Sequence, residues 1–293
     1  MNSPDISTRT TARIEQPAVT RFAPSPTGYL HLGHVVNAIY VWGLATAARA
    51  TVQLRIEDHD RLRSRTGFET AILEDLDWLG FAADSGRAPL QRQSDHPDRY
   101  LAALDQLRRT HHVYACRCSR RQIGGERYAG RCRTLNLPDA PEHGLRVAIA
   151  PGVERFSDLL VGTIEGEPQG QCGDLLLRDR DGQWTYQFAV TVDDIADGVT
   201  LVIRGSDLLS STTRQIRLAR MLGREHPAQF AHHPLIVGAD GVKLSKSRSD
   251  TGIRELRRAG WTAPDVIGRA AAAVGLTQTA VPLRAREIGD LFR

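Results

Sequence analysis

The sequence predicts an α/β fold built on a parallel sheet, and three observations carry that prediction. Residues 18–22 are apolar and short enough for a buried strand. The turn Pro24-Ser25-Pro26-Thr27-Gly28 can continue neither strand nor helix. Beyond Gly33, apolar residues recur on one helical face (Val35, Ala38, Ile39, Trp42, Ala45), and then Val52–Ile56 alternates as a strand up to Glu57-Asp58. Strand, helix and strand with short links form a βαβ unit, which implies parallel pairing. Ligands of such sheets bind at the carboxyl ends of the strands. Arg21 to Ser25 and Glu57 therefore share one rim.

The remaining elements follow in order. Residues 66–79 read as a helix stopped by Gly80, and Tyr100 to Arg109 as another. Pro, Gly and short apolar runs (145–149 and 159–164) read as small antiparallel strands of an insertion. Residues 174–178 and 184–192 read as strands around an Asp181-Gly182 turn. Leu201–Arg204 is a strand, Ser211–Leu222 a helix stopped by Gly223, Leu235–Val237 a strand, and 253–275 helical. The expected organisation is a disordered tail at 1–17, a first half of the core at 18–110 and a metal-bearing insertion at 111–170. A second half follows at 171–250, then a short C-terminal helical segment at 251–293.

Composition sets limits. With 293 residues, 41% hydrophobic and 25% charged, the chain is ordinary for a globular protein. It has no run of 18 apolar residues and no secretory h-region in its first twenty, so the expectation is a cytoplasmic protein without a membrane partner. The net charge of +4 points only weakly to nucleic acid. Lysine usage says more. Of 38 basic residues 36 are Arg; the two Lys, Lys243 and Lys246, fall together in Lys243-Leu244-Ser245-Lys246-Ser247. A compact ammonium differs chemically from a planar guanidinium, so the pair points to one task, neutralising phosphate charge, against the alternative of a solvated loop.

His31-Leu32-Gly33-His34 sits at a helix start, where free N–H groups and the helix dipole favour an anion. Gly33 removes a side chain that would block approach to the backbone. In isolation two histidines in a turn are more often surface than catalytic; the strand-turn-helix context raises them. Cys116, Cys118 and Cys132 offer three thiolates, one short of a structural tetrahedron. Tyr128, His111, His112 and His143 are candidates for the fourth ligand, and ligand chemistry favours a His over a Tyr. Cys172 reads as an ordinary thiol. Glu57, Tyr186 and Arg204 together could bind a zwitterionic acid through carboxylate, phenol and guanidinium. Asp193-Asp194 reads equally as a helix cap, a solvated turn or a pair of substrate contacts.

These stretches resemble the glutamyl branch of the class I aminoacyl-tRNA synthetases. Arg21-Phe22-Ala23-Pro24-Ser25-Pro26-Thr27-Gly28 with the H-x-G-H element resembles its opening signature, and Arg55-Ile56-Glu57-Asp58 its next strand end. Tyr186-Gln187-Phe188-Ala189-Val190 through Asp194, and Arg204-Gly205 through Leu209, resemble its second half. Lys243–Ser247 resembles the K-M-S-K-S loop with Leu in second place. The match runs over roughly residues 20–250 and implies a Rossmann-type class I core. About 45 residues follow it, fewer than an anticodon-binding region needs. With the C-x-C…Y-x-x-x-C cluster this is similar to the glutamyl-Q tRNA(Asp) synthetases. That resemblance implies activation of L-glutamate with ATP and Mg2+, then transfer to queuosine at the wobble position of tRNA(Asp). It further implies one structural zinc on Cys116, Cys118, Tyr128 and Cys132, overriding the preference for His. Glutamate contacts carry over to Arg21, Phe22, Ala23, Pro24, Ser25, Glu57, Tyr186 and Arg204. ATP contacts carry over to His31, Gly33, His34 and Lys246, with Lys243 assisting.

The expected chemistry is in-line attack of the glutamate carboxylate on the α-phosphorus, catalysed by positioning and charge neutralisation with no covalent nucleophile. A monomer is the default expectation. Rival readings are a truncated enzyme charging the 3′ end of tRNA(Glu), a small-molecule nucleotidyltransferase, and a non-catalytic synthetase-like RNA-binding protein. Intact phosphate loops and the acidic-substrate pocket weigh against the last two.

Overall fold

The computed structural model describes residues 8–82, 90–125, 127–236 and 252–293. The strands are β1 (Val19–Phe22), β2 (Thr51–Ile56), β3 (Gln91–Arg92), β4 (Val113–Cys116), β5 (Gly144–Val147), β6 (Glu154–Asp158), β7 (Gly162–Gly166), β8 (Leu175–Arg178), β9 (Leu201–Gly205) and β10 (Gln229–His233). The α-helices are α1 (Thr8–Thr11), α2 (Leu32–Ala48), α3 (Thr66–Leu79), α4 (Pro97–Thr110), α5 (Arg120–Ile123), α6 (Pro168–Cys172), α7 (Tyr186–Ala196), α8 (Leu209–Met221), α9 (Ile253–Arg258) and α10 (Ala263–Ala273).

The expected βαβ unit is present. β1 and β2 pair in parallel from Val19↔Thr51 to Phe22↔Leu54, with α2 as crossover, and β3 extends the sheet on the far side of β2. A second sheet has the order β7-β6-β10-β9, parallel except for the β6–β7 hairpin. The two sheets abut at β1 and β9, where the Thr200 N–H donates to the Val19 carbonyl over 2.9 Å. Strand order thus runs outward in both directions from the β1/β9 junction. That is a topological switch point, and its carboxyl ends form a crevice.

The core packs around α2, whose Val35, Val36, Ile39, Tyr40, Val41 and Leu44 are each at most 1% exposed. Burial on nearly every face makes α2 the central helix rather than the one-faced helix its periodicity predicts. α3 matches its expected bounds and ends on Gly80 in the left-handed region (φ 82°). A third sheet, β4-β5-β8, is antiparallel and carries the cysteine cluster at the end of β4.

Four expectations change. Residues 184–192 are not a strand. α7 starts at Tyr186 and buries seven consecutive residues, Phe188 to Asp194, so burial on all sides gave the run a strand-like look. Gln229–His233 forms a strand that the sequence did not mark, and Leu235 and Ile236, expected to open a strand, lie beyond its end without strand structure, while Val237 lies outside the described residues. The run 159–164 is the turn between β6 and β7 and the start of β7, and this hairpin joins the β10 sheet rather than the cysteine-bearing one. Residues 8–17, expected in a disordered tail, form α1 and place Ile14 in the core at 6% exposure. The Glu15 N–H donates to Gln229 Oε1 over 2.8 Å. C-terminally, 253–275 divides into α9 and α10 around Gly260.

Candidate active site

The rim expected at the strand ends is assembled. The Glu57 N–H donates to the Pro24 carbonyl over 2.9 Å, closing the turn after β1 against the end of β2. Arg21 and Glu57 are 4% and 5% exposed, and Arg204, on β9, is 4% exposed. Tyr186 opens α7 beside them. Burial first, then the charge of Glu57, pushes its hydroxyl pKa up, while Arg204 and Arg21 pull it back. Ala23 and Ser25 are half-buried and Pro24 buried. Phe22 lends the rim only its backbone, because its ring is 1% exposed and packs 5.1 Å from Trp42.

Below the rim lies an ion network that sequence reasoning missed. Asp194 Oδ1 takes Arg21 Nε at 3.0 Å and Arg55 Nη2 at 2.7 Å. Arg55 also reaches Glu57 at 3.2 Å and Asp197 at 3.1 Å. Burial opposes the charge on Asp194, but Arg21 and then Arg55 outweigh it and hold its carboxyl below the usual range. Asp193 accepts from Gln93 Nε2 (2.7 Å) and from the Tyr100 hydroxyl (2.9 Å). Asp193-Asp194 is therefore neither a cap nor a solvated turn: both sit in the last turns of α7, buried, as the hub that joins the two halves of the rim.

Arg204 differs. Its Nε donates to His232 Nε2 (3.1 Å), Nη1 to Gln215 Oε1 (2.7 Å) and Nη2 to Thr212 Oγ1 (2.8 Å). All three partners are neutral, and among the described residues no carboxylate lies within ion-pair distance of it. Burial lowers its pKa, with the Tyr186 hydroxyl and Asp194 opposing. A buried guanidinium with only neutral partners is costly unless an anion completes the site. No motif flags His232, Thr212 or Gln215; only the strand pairing brings the first to Arg204.

The histidine turn has an internal logic. His31 is the N-cap of α2: its Nδ1 accepts from the Gly33 N–H (3.1 Å), and His34 Nδ1 accepts from the His31 N–H (3.1 Å). This is a capping box built from two imidazoles. With both Nδ1 atoms acting as acceptors, the neutral rings carry their protons on Nε2. A Cβ on Gly33 would meet His31 Cε1 at 2.9 Å, so the bare glycine makes room for the His31 ring. A cleft beside the turn is lined by His31, Gly33, Val36, His233, Pro234, Leu235 and Ile236. Gly252 forms an antiparallel bridge with His31, and the Ile253 N–H donates to the Leu30 carbonyl (3.0 Å). Lys243 and Lys246 lie outside the described residues; the described residues that flank that segment, Ile236 and Gly252, both border the histidine turn.

In the third sheet, the Sγ atoms of Cys116, Cys118 and Cys132 all lie within 4.8 Å of one another, with Cys118 and Cys132 3.6 Å apart. Bonds of about 2.3 Å to a tetrahedral ion require sulfur–sulfur edges near 3.8 Å. The Tyr128 oxygen is 3.3 Å from Cys116 Sγ and accepts from the Cys132 N–H (2.8 Å). Burial raises the Cys132 pKa, but hydrogen bonds from Tyr128 and the Arg117 backbone outweigh it and bring it down to about 7. No histidine joins this cluster among the described residues. His111 bonds Thr110 Oγ1 and His143 the Pro138 carbonyl instead. Gly173 holds Tyr128 in place: at φ 67° it bridges Tyr128, and a Cβ there would fall 1.8 Å from the Tyr128 carbonyl. Arg146 lies 3.9 Å over the Tyr128 ring. Cys172 stands apart, its thiol donating to the Pro168 carbonyl.

Comparison with known proteins adds to this geometry. The family described as tRNA synthetases class I (E and Q), catalytic domain, matches residues 17–280. A glutamyl-Q tRNA(Asp) synthetase of Symbiobacterium thermophilum is 38% identical over 93% of this chain and 91% of its own length. One from Geobacter sulfurreducens is 39% identical over 84% of this chain and 82% of its own. A glutamate–tRNA ligase 2 of Cereibacter sphaeroides is 38% identical, but the matched part spans 57% of its length. Among solved structures, a glutamate tRNA ligase from Elizabethkingia meningosepticum in complex with its amino acid superposes with a TM-score of 0.76 at 26% identity. That match covers 95% of this chain and 64% of the ligase.

Proposed function

This chain belongs to the class I (E and Q) tRNA synthetases, and we propose that it activates L-glutamate with ATP and transfers it to queuosine at the wobble position of tRNA(Asp). The observation that carries the glutamate reading is Arg204, a buried guanidinium with neutral partners only, facing Tyr186 at the switch-point crevice. Its charge is completed by the side-chain carboxylate of the substrate. Glu57 takes the ammonium group, and Arg21 to Ser25 form the wall beside it. The likeness to glutamyl-Q tRNA(Asp) synthetases over most of their length supports the acceptor.

The substrate α-carboxylate attacks the α-phosphorus of Mg2+-bound ATP, and the P–O bond to pyrophosphate breaks as the new one forms. His31 and His34, protonated on Nε2, are in the tautomer that donates to phosphate oxygens, and Gly33 lets their rings close on the helix start. Lys246, aided by Lys243, neutralises the leaving pyrophosphate. A hydroxyl of the queuosine then attacks the glutamyl carbonyl and AMP leaves. Cys116, Cys118, Cys132 and Tyr128 would hold one zinc ion, whose contribution would be structural: tying the end of β4 to the loop before β5 that carries Tyr128 and Cys132. The protein acts in the cytoplasm.

The test follows labelled glutamate onto tRNA(Asp) with and without queuosine, beside tRNA(Glu). Transfer only to the queuosine-bearing tRNA is expected. Charging of tRNA(Glu) instead would reassign the acceptor. No glutamate-dependent ATP–pyrophosphate exchange would overturn the activity itself.

A further inference from the structure

Arg204 and His232 are Cα partners in the parallel β9–β10 ladder, so their side chains leave the sheet on the same face. Arg204 Nε donates to His232 Nε2 at 3.1 Å, and Thr212 Oγ1, whose hydroxyl reaches the Leu208 carbonyl at 3.3 Å, lies 3.0 Å from the same nitrogen. His232 Nε2 must therefore bear the lone pair, and the ring proton sits on Nδ1. That proton goes to Asp158 Oδ2 at 2.6 Å. Asp158 is 0% exposed and is itself fixed by the N–H groups of Leu160 (2.9 Å), Val161 (3.0 Å) and His232 (3.2 Å). Burial keeps His232 neutral by lowering its pKa, with Asp158 opposing and Arg204 reinforcing. Asp158, at the end of β6, thus fixes a tautomer whose free nitrogen fixes a guanidinium.

We propose that Asp158 and His232 are positioning residues that hold the Arg204 fork toward the substrate and make the pocket selective for a side-chain carboxylate over the corresponding amide. The assignment rests on the glutamate reading given above. The reason is geometric. A guanidinium has five N–H donors. The neutral acceptors take Nε–H, one N–H of Nη1 and one of Nη2, so the hydrogens left over belong to the two terminal nitrogens. A carboxylate can accept from both; a primary amide offers one oxygen and one NH2, and the NH2 faces a cation. A carboxylate in place of His232 would have quenched Arg204 as Asp194 quenches Arg21. A neutral acceptor orients the fork and leaves its charge for the ligand. The Asp158–His232 hydrogen bond prevents the ring from presenting N–H to Arg204, which would expel it.

The test uses glutamate-dependent ATP–pyrophosphate exchange with His232→Leu and His232→Gln, the second keeping an acceptor oxygen. His232→Leu is expected to raise KM for glutamate about 10- to 100-fold, the worth of one hydrogen bond to a charged group. KM for ATP should stay within about twofold, and the preference for glutamate over glutamine should fall about tenfold or more. His232→Gln should restore most of the preference. A merely structural role would instead lower thermal stability and kcat while leaving KM for glutamate and the glutamate/glutamine ratio unmoved, and that result would overturn the proposal. Thr212→Val removes the neutral acceptor of Arg204 Nη2 without touching the ring. It should shift the same ratio in the same direction, and it keeps the proposal falsifiable if His232→Leu fails to fold. A wild-type protein without exchange overturns the glutamate reading, whereas normal wild-type exchange with an unmoved His232→Leu ratio overturns only this assignment.

Discussion

The two sides of the crevice treat buried arginine in opposite ways. On the first-half side, Arg21 and Arg55 are closed by Asp194, Asp197 and Glu57. On the second-half side, Arg204 is held by His232, Gln215 and Thr212, none of them charged. The first arrangement is a scaffold whose charges are mutually satisfied, and it joins α7 to β1 and β2. The second leaves its charge without a countercharge among the described residues, as the proposed role in substrate binding requires. Burial and residue type alone do not separate them; the formal charge of the partners does.

Breaking the closed side should cost the most stability. Asp194→Asn leaves two buried guanidiniums without their shared carboxylate and is expected to destabilise the fold by about 3–5 kcal/mol, read by urea unfolding. A loss under 1 kcal/mol would mean that the hub is not structural. The same carboxylate sets an acid limit. Its folded pKa is depressed, so its contribution is fully present above the unfolded value of about 3.9 and is lost as pH falls through the folded value. Wild-type stability should decline steeply below about pH 4, and the Asp194→Asn variant should show a shallower acid slope.

The cysteine cluster would be a third way of settling charge, through the zinc ion proposed for it. Tyr128→Phe should weaken zinc binding by more than the roughly 10–100-fold typical of losing an outer-shell partner, measured by competition with a chelator. Unchanged affinity would return the fourth position to another group.

Asp75 is the counter-example to the closed network. It is 1% exposed, its nearest cation is Arg254 Nε at 3.8 Å, and one of its oxygens has no partner. Burial pushes its pKa up to about 6 despite Arg254 and Arg257. A raised carboxyl pKa leaves stability intact at low pH and erodes it as pH rises through 6. Asp75→Asn should therefore stabilise the protein by about 3 kcal/mol at pH 8 and by much less at pH 4; equal effects at both would reject the charge explanation.

The smallest stability effect belongs to the histidine turn. His31→Ala should cost about 1 kcal/mol through the lost cap. His31→Asn should keep the cap yet lose exchange activity, separating the two uses of one ring.

Much of this was legible in the sequence because it is local. The Pro/Gly turn, the helix start at Leu32 and the Gly80 stop are each written in a few neighbouring residues, and the structure realises them. Glu57 and Arg204 lie at the strand ends the sequence marks, and the structure places Tyr186 beside them at the start of a helix where a strand was expected. Asp158, His232 and Asp194 were missed or left open because their meaning is pairwise: His232 matters through Arg204, 28 positions away, and neither residue has a local pattern that says so. α7 was read as a strand for a related reason. When all sides of a short segment are buried, hydrophobic periodicity carries no information about its conformation. Arg55 showed in the strand end Arg55-Ile56-Glu57-Asp58, but nothing nearby signalled that it would be among the most buried side chains in the molecule.

The contrast between the two arginine sites is tested most directly by Arg204→Gln, assayed for glutamate binding by calorimetry alongside its unfolding midpoint. Because no carboxylate is orphaned, the midpoint should move by only a few degrees, while glutamate affinity should fall by about 2–5 kcal/mol, roughly 30-fold or more. Retained glutamate affinity, or a collapse of stability like that expected of Asp194→Asn, would contradict the assignment of Arg204 as the open charge of the site.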